Sequence, residues 1–184
     1  MSELAGDAIA PGKIISYLTG FHGARDLTAQ LVVRMQRGAQ KVVLIDAGNC
    51  FHPYLFRRHG LTKGELYGAL ENILISRPFT IHQLRSVTDS GLKTVLAESA
   101  STSLLIPMLT SMFYDEDLRD DEALAVFRAI LSNVVSVTKE RSLATVVTAE
   151  PNAFFARRSE MLVGELEEVG KVMRWGGQSR ASGT

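Results

Sequence analysis

Five short runs of β-branched and aliphatic residues recur along this chain of 184 residues: 14–19, 41–46, 72–76, 103–106 and 143–148. Each is apolar almost throughout, not alternately apolar and polar, which is the pattern of a strand covered on both faces. Amphipathic lengths long enough for helices separate them. Strands of this kind joined by helical crossovers form a parallel sheet sandwiched between helices, so the chain reads as an α/β fold.

The separating stretches predict helices over 24–37, 61–70, 80–96 and 116–140. Thr62 followed by Glu65 makes a capping box for the second. Ile81, Leu84, Val87 and Leu92 set the apolar face of the third, with Gly91 as its weak point. Leu124, Phe127, Ile130, Leu131, Val134 and Val135 set the face of the fourth. Pro107, which has no N–H for a ladder, closes the fourth strand. Beyond Pro151 the pattern predicts a helix over 152–160 and an edge strand over 169–175. One core domain over 12–175 follows, with a flexible N-terminus (1–11) and a disordered polar tail, GGQSRASGT, over 176–184.

Twenty Lys and Arg balance twenty Asp and Glu, so net charge supplies no bulk attraction to nucleic acid or an anionic membrane. A single cysteine, Cys50, excludes an internal disulfide and fits a reducing compartment. No apolar run approaches the roughly 18 residues of a membrane span, and MSELAGDAIAPGK lacks the basic start and apolar block of a signal peptide. The expected address is cytoplasmic, and nucleoid or nuclear if the chain serves recombination.

The first strand runs into Thr19-Gly20-Phe21-His22-Gly23-Ala24-Arg25-Asp26, followed by a helix. Strand, glycine-bearing turn and helix are the context of a phosphate-binding loop, whose working form is G-x-x-x-x-G-K-[ST]. Here no Lys-Ser or Lys-Thr follows either glycine. The expected placement puts Gly20 and Gly23 in the turn and Arg25 and Asp26 in the first turn of the helix. Asp26 would suit the helix dipole yet oppose an anionic phosphate, and Arg25 lacks the neighbouring hydroxyl. A purely structural turn outweighs a nucleotide site.

The stretch 41–83 resembles the middle of a RecA/RadA-type recombinase core. Ile45-Asp46-Ala47-Gly48-Asn49-Cys50-Phe51-His52-Pro53 is similar to the family's I-D-T-E-x-x-F-x-P, and Arg77-Pro78-Phe79 with His82-Gln83 is similar to its R-A-F and H-Q elements. Gly48 stands where the family carries its catalytic Glu. Residues 104–113 resemble the family's metal-binding strand, with Pro107 in place of its Asp. Residues 143–150 resemble the strand that ends in Asn-Gln, with Ala149 and Glu150 at that pair. The likeness runs over about 12–175 and is strongest over 41–83.

The resemblance implies a RecA-like P-loop NTPase fold: a twisted, mainly parallel sheet flanked by helices, in one domain. It also implies a pseudo-ATPase with no cofactor and no metal, because the family Lys, Glu and Asp are absent and Asp46 alone remains. The expected function is that of a non-catalytic recombinase paralogue that modulates a protein partner, an active recombinase, in DNA recombination and repair. The alternatives are a residual ATPase using Arg25 and Asp46, and a structural subunit of another assembly, KaiC-like for example.

Family members hold single-stranded DNA through two loops. The first corresponds here to 114–122, which carries six acidic side chains and one Arg and therefore repels phosphate. The second is nearly absent, since fewer than ten residues separate Thr148 from Arg157. DNA contact is expected to be weak or indirect. Candidate interface residues are Phe51, Pro53, Arg57 and Arg58 in one segment and Phe154, Phe155, Arg157 and Arg158 in another, basic and aromatic together. Solvated helix faces and packed phenylalanines are the plainer reading of both.

His22, His52, His59 and His82 show no metal-ligand spacing, and Cys50 beside Phe51 reads as a half-buried packing residue with no fixed base near it. Trp175 is either an interface anchor or cover for an edge strand.

Overall fold

The computed structural model describes residues 9–36 and 40–175. Of the N-terminus expected to be flexible (1–11), residues 1–8 lie outside the described residues, as does the tail expected to be disordered, 176–184. Six strands form one sheet: β1 (Lys13–Leu18), β2 (Val42–Ile45), β3 (Ile73–Ser76), β4 (Ser103–Ile106), β5 (Ala144–Ala149) and β6 (Lys171–Arg174). Their order is β3-β2-β4-β5-β1-β6, and every neighbouring pair is parallel. The sheet is thus wholly parallel.

Helices cover both faces, as a parallel sheet requires. The first connections run toward the β3 edge, by α1 (Phe21–Gln36), then by α2 (Leu55–Arg58) and α3 (Lys63–Glu71). The later ones run back toward β6, by α4 (Ile81–Ser86), a π turn (Val87–Gly91), α5 (Leu92–Ser99), α6 (Asp120–Glu140) and α7 (Ala156–Val169). Because parallel crossovers are right-handed, reversing direction also switches face. One core layer accordingly joins Ile15, Tyr17, Val42 and Leu44 to Leu27, Val32, Phe56 and Leu66. The other joins Ile14, Leu18, Val43 and Ile45 to Leu84, Phe127, Ile130 and Leu162. Burial of β2 and β4 is complete along their length, matching their unbroken apolar sequence.

The Thr62–Glu65 capping box forms as expected, with Thr62 Oγ1 accepting from the Glu65 N–H and Glu65 Oε2 from the Thr62 N–H. Gly91 falls in the π turn that interrupts the third predicted helix. Several boundaries differ from expectation, three of them at helix starts for local reasons. Helix α1 starts at Phe21, three residues early, because the Ala24 N–H already donates to Gly20 O at 2.9 Å. Helix α6 starts at Asp120, because 114–119 is a loop held by Arg158. Helix α7 covers 156–169 instead of 152–160: Asn152 Oδ1 accepts from the Phe154 N–H at 2.9 Å and bends the chain first. No helix among the described residues is long and apolar enough to cross a membrane.

Candidate functional site

In parallel α/β sheets ligands gather beyond the carboxyl ends of the strands, where connections diverge. The candidate residues around Thr19, Asp46, Pro107 and Glu150 all sit at that end, as their positions after β1, β2, β4 and β5 dictate. The structure therefore brings the degenerate nucleotide positions to one place. What they build there is a filled seam.

Only Thr19 and Gly20 link β1 to α1. Gly23, Arg25 and Asp26 are thus inside the helix, not in a turn and its first residues, which corrects the expected placement. A phosphate cradle draws backbone N–H groups from an extended loop of several residues, and a link of Thr19 and Gly20 offers no such loop. The flanks are closed as well. A Cβ placed on Gly23 would lie 2.0 Å from Thr19 Oγ1 and 3.5 Å from Trp175 Cδ1, so the indole packs over the start of α1. The Trp175 backbone N–H donates to Leu18 O and the ring meets Tyr17 edge-on at 6.1 Å, so here the tryptophan serves as cover within its own chain. A Cβ on Gly20 would come 3.4 Å from Glu150 Oε1, which puts a carboxylate beside the position a phosphate would need.

Between the ends of β1, β2 and β4, Ala24, Cys50 and Met108 form a small buried apolar cluster. Met108 follows Pro107 and takes a left-handed φ of 57°, its N–H donating to Thr148 Oγ1 at 2.8 Å. That turn aims Met108 at Gly48: a Cβ there would lie 2.2 Å from Met108 Cβ and 2.7 Å from its Cγ. Gly48 is needed as the one residue without a Cβ, and its N–H donates to Pro107 O at 3.2 Å. Gly48 and Pro107, the two positions set against Glu and Asp in the resemblance, are therefore joined to each other.

Asp46 is fully buried and fully engaged. Its Oδ1 accepts from the Cys50 N–H at 2.8 Å; its Oδ2 accepts from the Phe51 N–H and from Arg77 Nε, both at 3.1 Å, and pairs with the second guanidinium nitrogen at 3.0 Å. Those bonds hold the 46–51 turn and commit the buried carboxylate to groups of its own chain. Burial, and next the charge of Asp46, push the Cys50 thiol up to about 12, so it is neutral and inert, and it is more buried than the sequence suggested. The Arg25 guanidinium lies 5.4 Å over the Phe21 ring. Asp26 accepts from Gln30 Nε2 at 2.7 Å and lies 2.8 Å from His59 Nε2. Among the described residues no group of three or more His, Cys, Asp or Glu could hold a metal ion. The residues present do not fit magnesium-bound ATP.

The interface candidates separate. Phe51 packs edge-on to Phe56 at 5.5 Å in the layer under α1, with Arg57 and Arg58 exposed at the end of α2. The second segment belongs to the opposite face: Phe154 is 98% exposed, Arg157 is exposed, and Phe155 stacks on Tyr114 at 5.8 Å. Arg158 is not part of an exposed basic pair. It is buried, donates to the carbonyls of Phe113 and Asp115 at 2.8 Å and to that of Leu118, reaches Asp120 at 2.6 Å, and lies over the Phe155 ring. Sequence reading missed Phe79, which is 75% exposed. Its place before the Thr80 N-cap is that of a hydrophobic staple against Leu84, but Leu84 is already enclosed by the core and the ring stays in solvent.

No protein-family model matches this chain, and no curated protein matches it.

Proposed function

We propose that this chain is a recombinase-like subunit that has given up ATP chemistry and acts by docking on a protein partner, an active RecA/RadA-type recombinase, in DNA recombination and repair. The observation that carries the reading is the filled seam: the link of Thr19 and Gly20, the Ala24–Cys50–Met108 cluster, and Asp46 bound to its own turn. Loss of the phosphate loop, the water-activating Glu and the metal-binding Asp together removes every group the family mechanism uses. Folds of the resembled class hold nucleotide between neighbouring subunits, so a subunit with an empty chemistry still presents docking faces. A wholly parallel sheet with helices on both faces is compatible with that architecture.

The test is reconstitution with the purified recombinase of the source organism. Sedimentation of the mixture should show a stoichiometric complex, and the recombinase's DNA-dependent ATPase rate should change as this chain is added. Absence of both effects at about ten-micromolar protein contradicts the proposal.

A further inference from the structure

A groove of about 790 Å³ opens between the start of α4 and the loop that leads into α6. Its apolar surface comes from Phe79, Met112 and the Tyr114 ring. The Tyr114 hydroxyl is committed within the fold, donating to Glu150 O at 2.9 Å. Outside the groove, Phe155 stacks on Tyr114 at 5.8 Å and its neighbour in sequence, Phe154, is 98% exposed. Apolar side chains gathered in an open groove, with Phe79 75% exposed among them, mark a contact surface.

Charge states what kind of contact. Asp115, Glu116, Asp117 and Glu122 line the groove and its lining holds no Lys or Arg, with His82 its one titratable base. The two arginines that touch the acidic loop are spent: Arg119 makes a bidentate pair with Asp121 at 2.8 and 3.1 Å, and Arg158 is buried on backbone carbonyls. None of the four lining carboxylates forms an ion pair among the described residues. The loop is also pre-shaped, since Arg158 fixes it from beneath, so little ordering cost attends binding.

We infer that this groove receives a basic segment of a partner protein, with an aromatic or leucine side chain on the Phe79–Tyr114 surface and Lys or Arg against the acidic rim. Nucleic acid is the wrong occupant, because phosphate would face these carboxylates without a single Lys or Arg. The inference rests on the partner-docking reading above and assigns it a face and a chemistry.

The probe is a fluorescein-labelled synthetic peptide of alternating Lys and Arg around one Phe, titrated by anisotropy with the full chain. Binding should weaken about ten-fold in E116Q/D117N/E122Q and about five-fold in Phe79→Ala, which leaves every charge in place. Equal neutralisation on α7, in E160Q/E167Q/E168Q, should change it less than about two-fold. All these side chains are exposed, so folding is not at stake. Indifference to Phe79, or equal weakening by the α7 variant, would reduce the effect to general charge attraction and overturn the inference. So would self-association abolished by E116Q/D117N/E122Q, which would give the groove to the Arg57–Arg58 patch of a second copy. A labelled oligothymidine bound with the same dependence on Phe79 would overturn it too. Peptide binding lost while the recombinase complex persists removes this inference alone; loss of the complex with peptide binding intact removes the reading it rests on.

Discussion

At the scale of single residues, the positions beyond the strand ends serve packing. Gly48 is the clearest case, since Met108 occupies the volume its Cβ would need. Gly48→Ala should destabilise the fold by about 2 kcal/mol in urea unfolding. Gly48→Glu, the change toward the family residue, should destabilise at least as much and yield no ATP hydrolysis in a phosphate-release assay. Asp46→Ala would orphan the Cys50 and Phe51 N–H groups, at a cost of about 3 kcal/mol by the same unfolding measurement. Cys50 carries a pH signature. Its folded pKa, about 12, lies above the ordinary 9.0, so the unfolded chain releases its proton first. The stability tied to the neutral thiol is whole below about pH 9 and is lost as pH rises from there toward about 12. Cys50→Ala should flatten that part of the alkaline unfolding curve relative to the native chain, and iodoacetamide at pH near 8 should label Cys50 only after urea is added.

At the scale of elements, strands were the legible part of the sequence. Unbroken apolar runs such as Val42–Ile45 are unambiguous because both faces of a central parallel strand are covered. Helix ends were less so, because tertiary bonds set them. The start of α6 depends on Arg158, thirty-eight positions from its Asp120 partner, and no local propensity announces such a clamp. The pairing of Arg157 and Arg158 in sequence suggested one basic patch, yet only α7's orientation decides that the first faces water and the second the interior. Arg158→Ala should cost about 3 kcal/mol. It should also raise amide exchange in 113–119 selectively, leaving α6 beyond its first turn unchanged in hydrogen–deuterium exchange.

At the scale of the whole molecule, sequence identified which positions converge beyond the strand ends, because chain order and strand polarity determine that much. It did not reveal that they close on one another. Gly20 and Gly23 suggested an open turn, whereas α1 begins at Phe21 and leaves only Thr19 and Gly20 between strand and helix. The groove beside Phe79 was illegible for the same reason: it is made by a loop after β4 and a helix after β3, which meet only in the folded chain. Both features turn on volume, not on motif. The seam at the strand ends has neither room nor charge for a nucleotide. Isothermal titration of the full chain with magnesium-bound ATP measures this directly. No saturable heat should appear up to about millimolar ligand, whereas a stoichiometric isotherm with a dissociation constant of roughly a micromolar would contradict the claim.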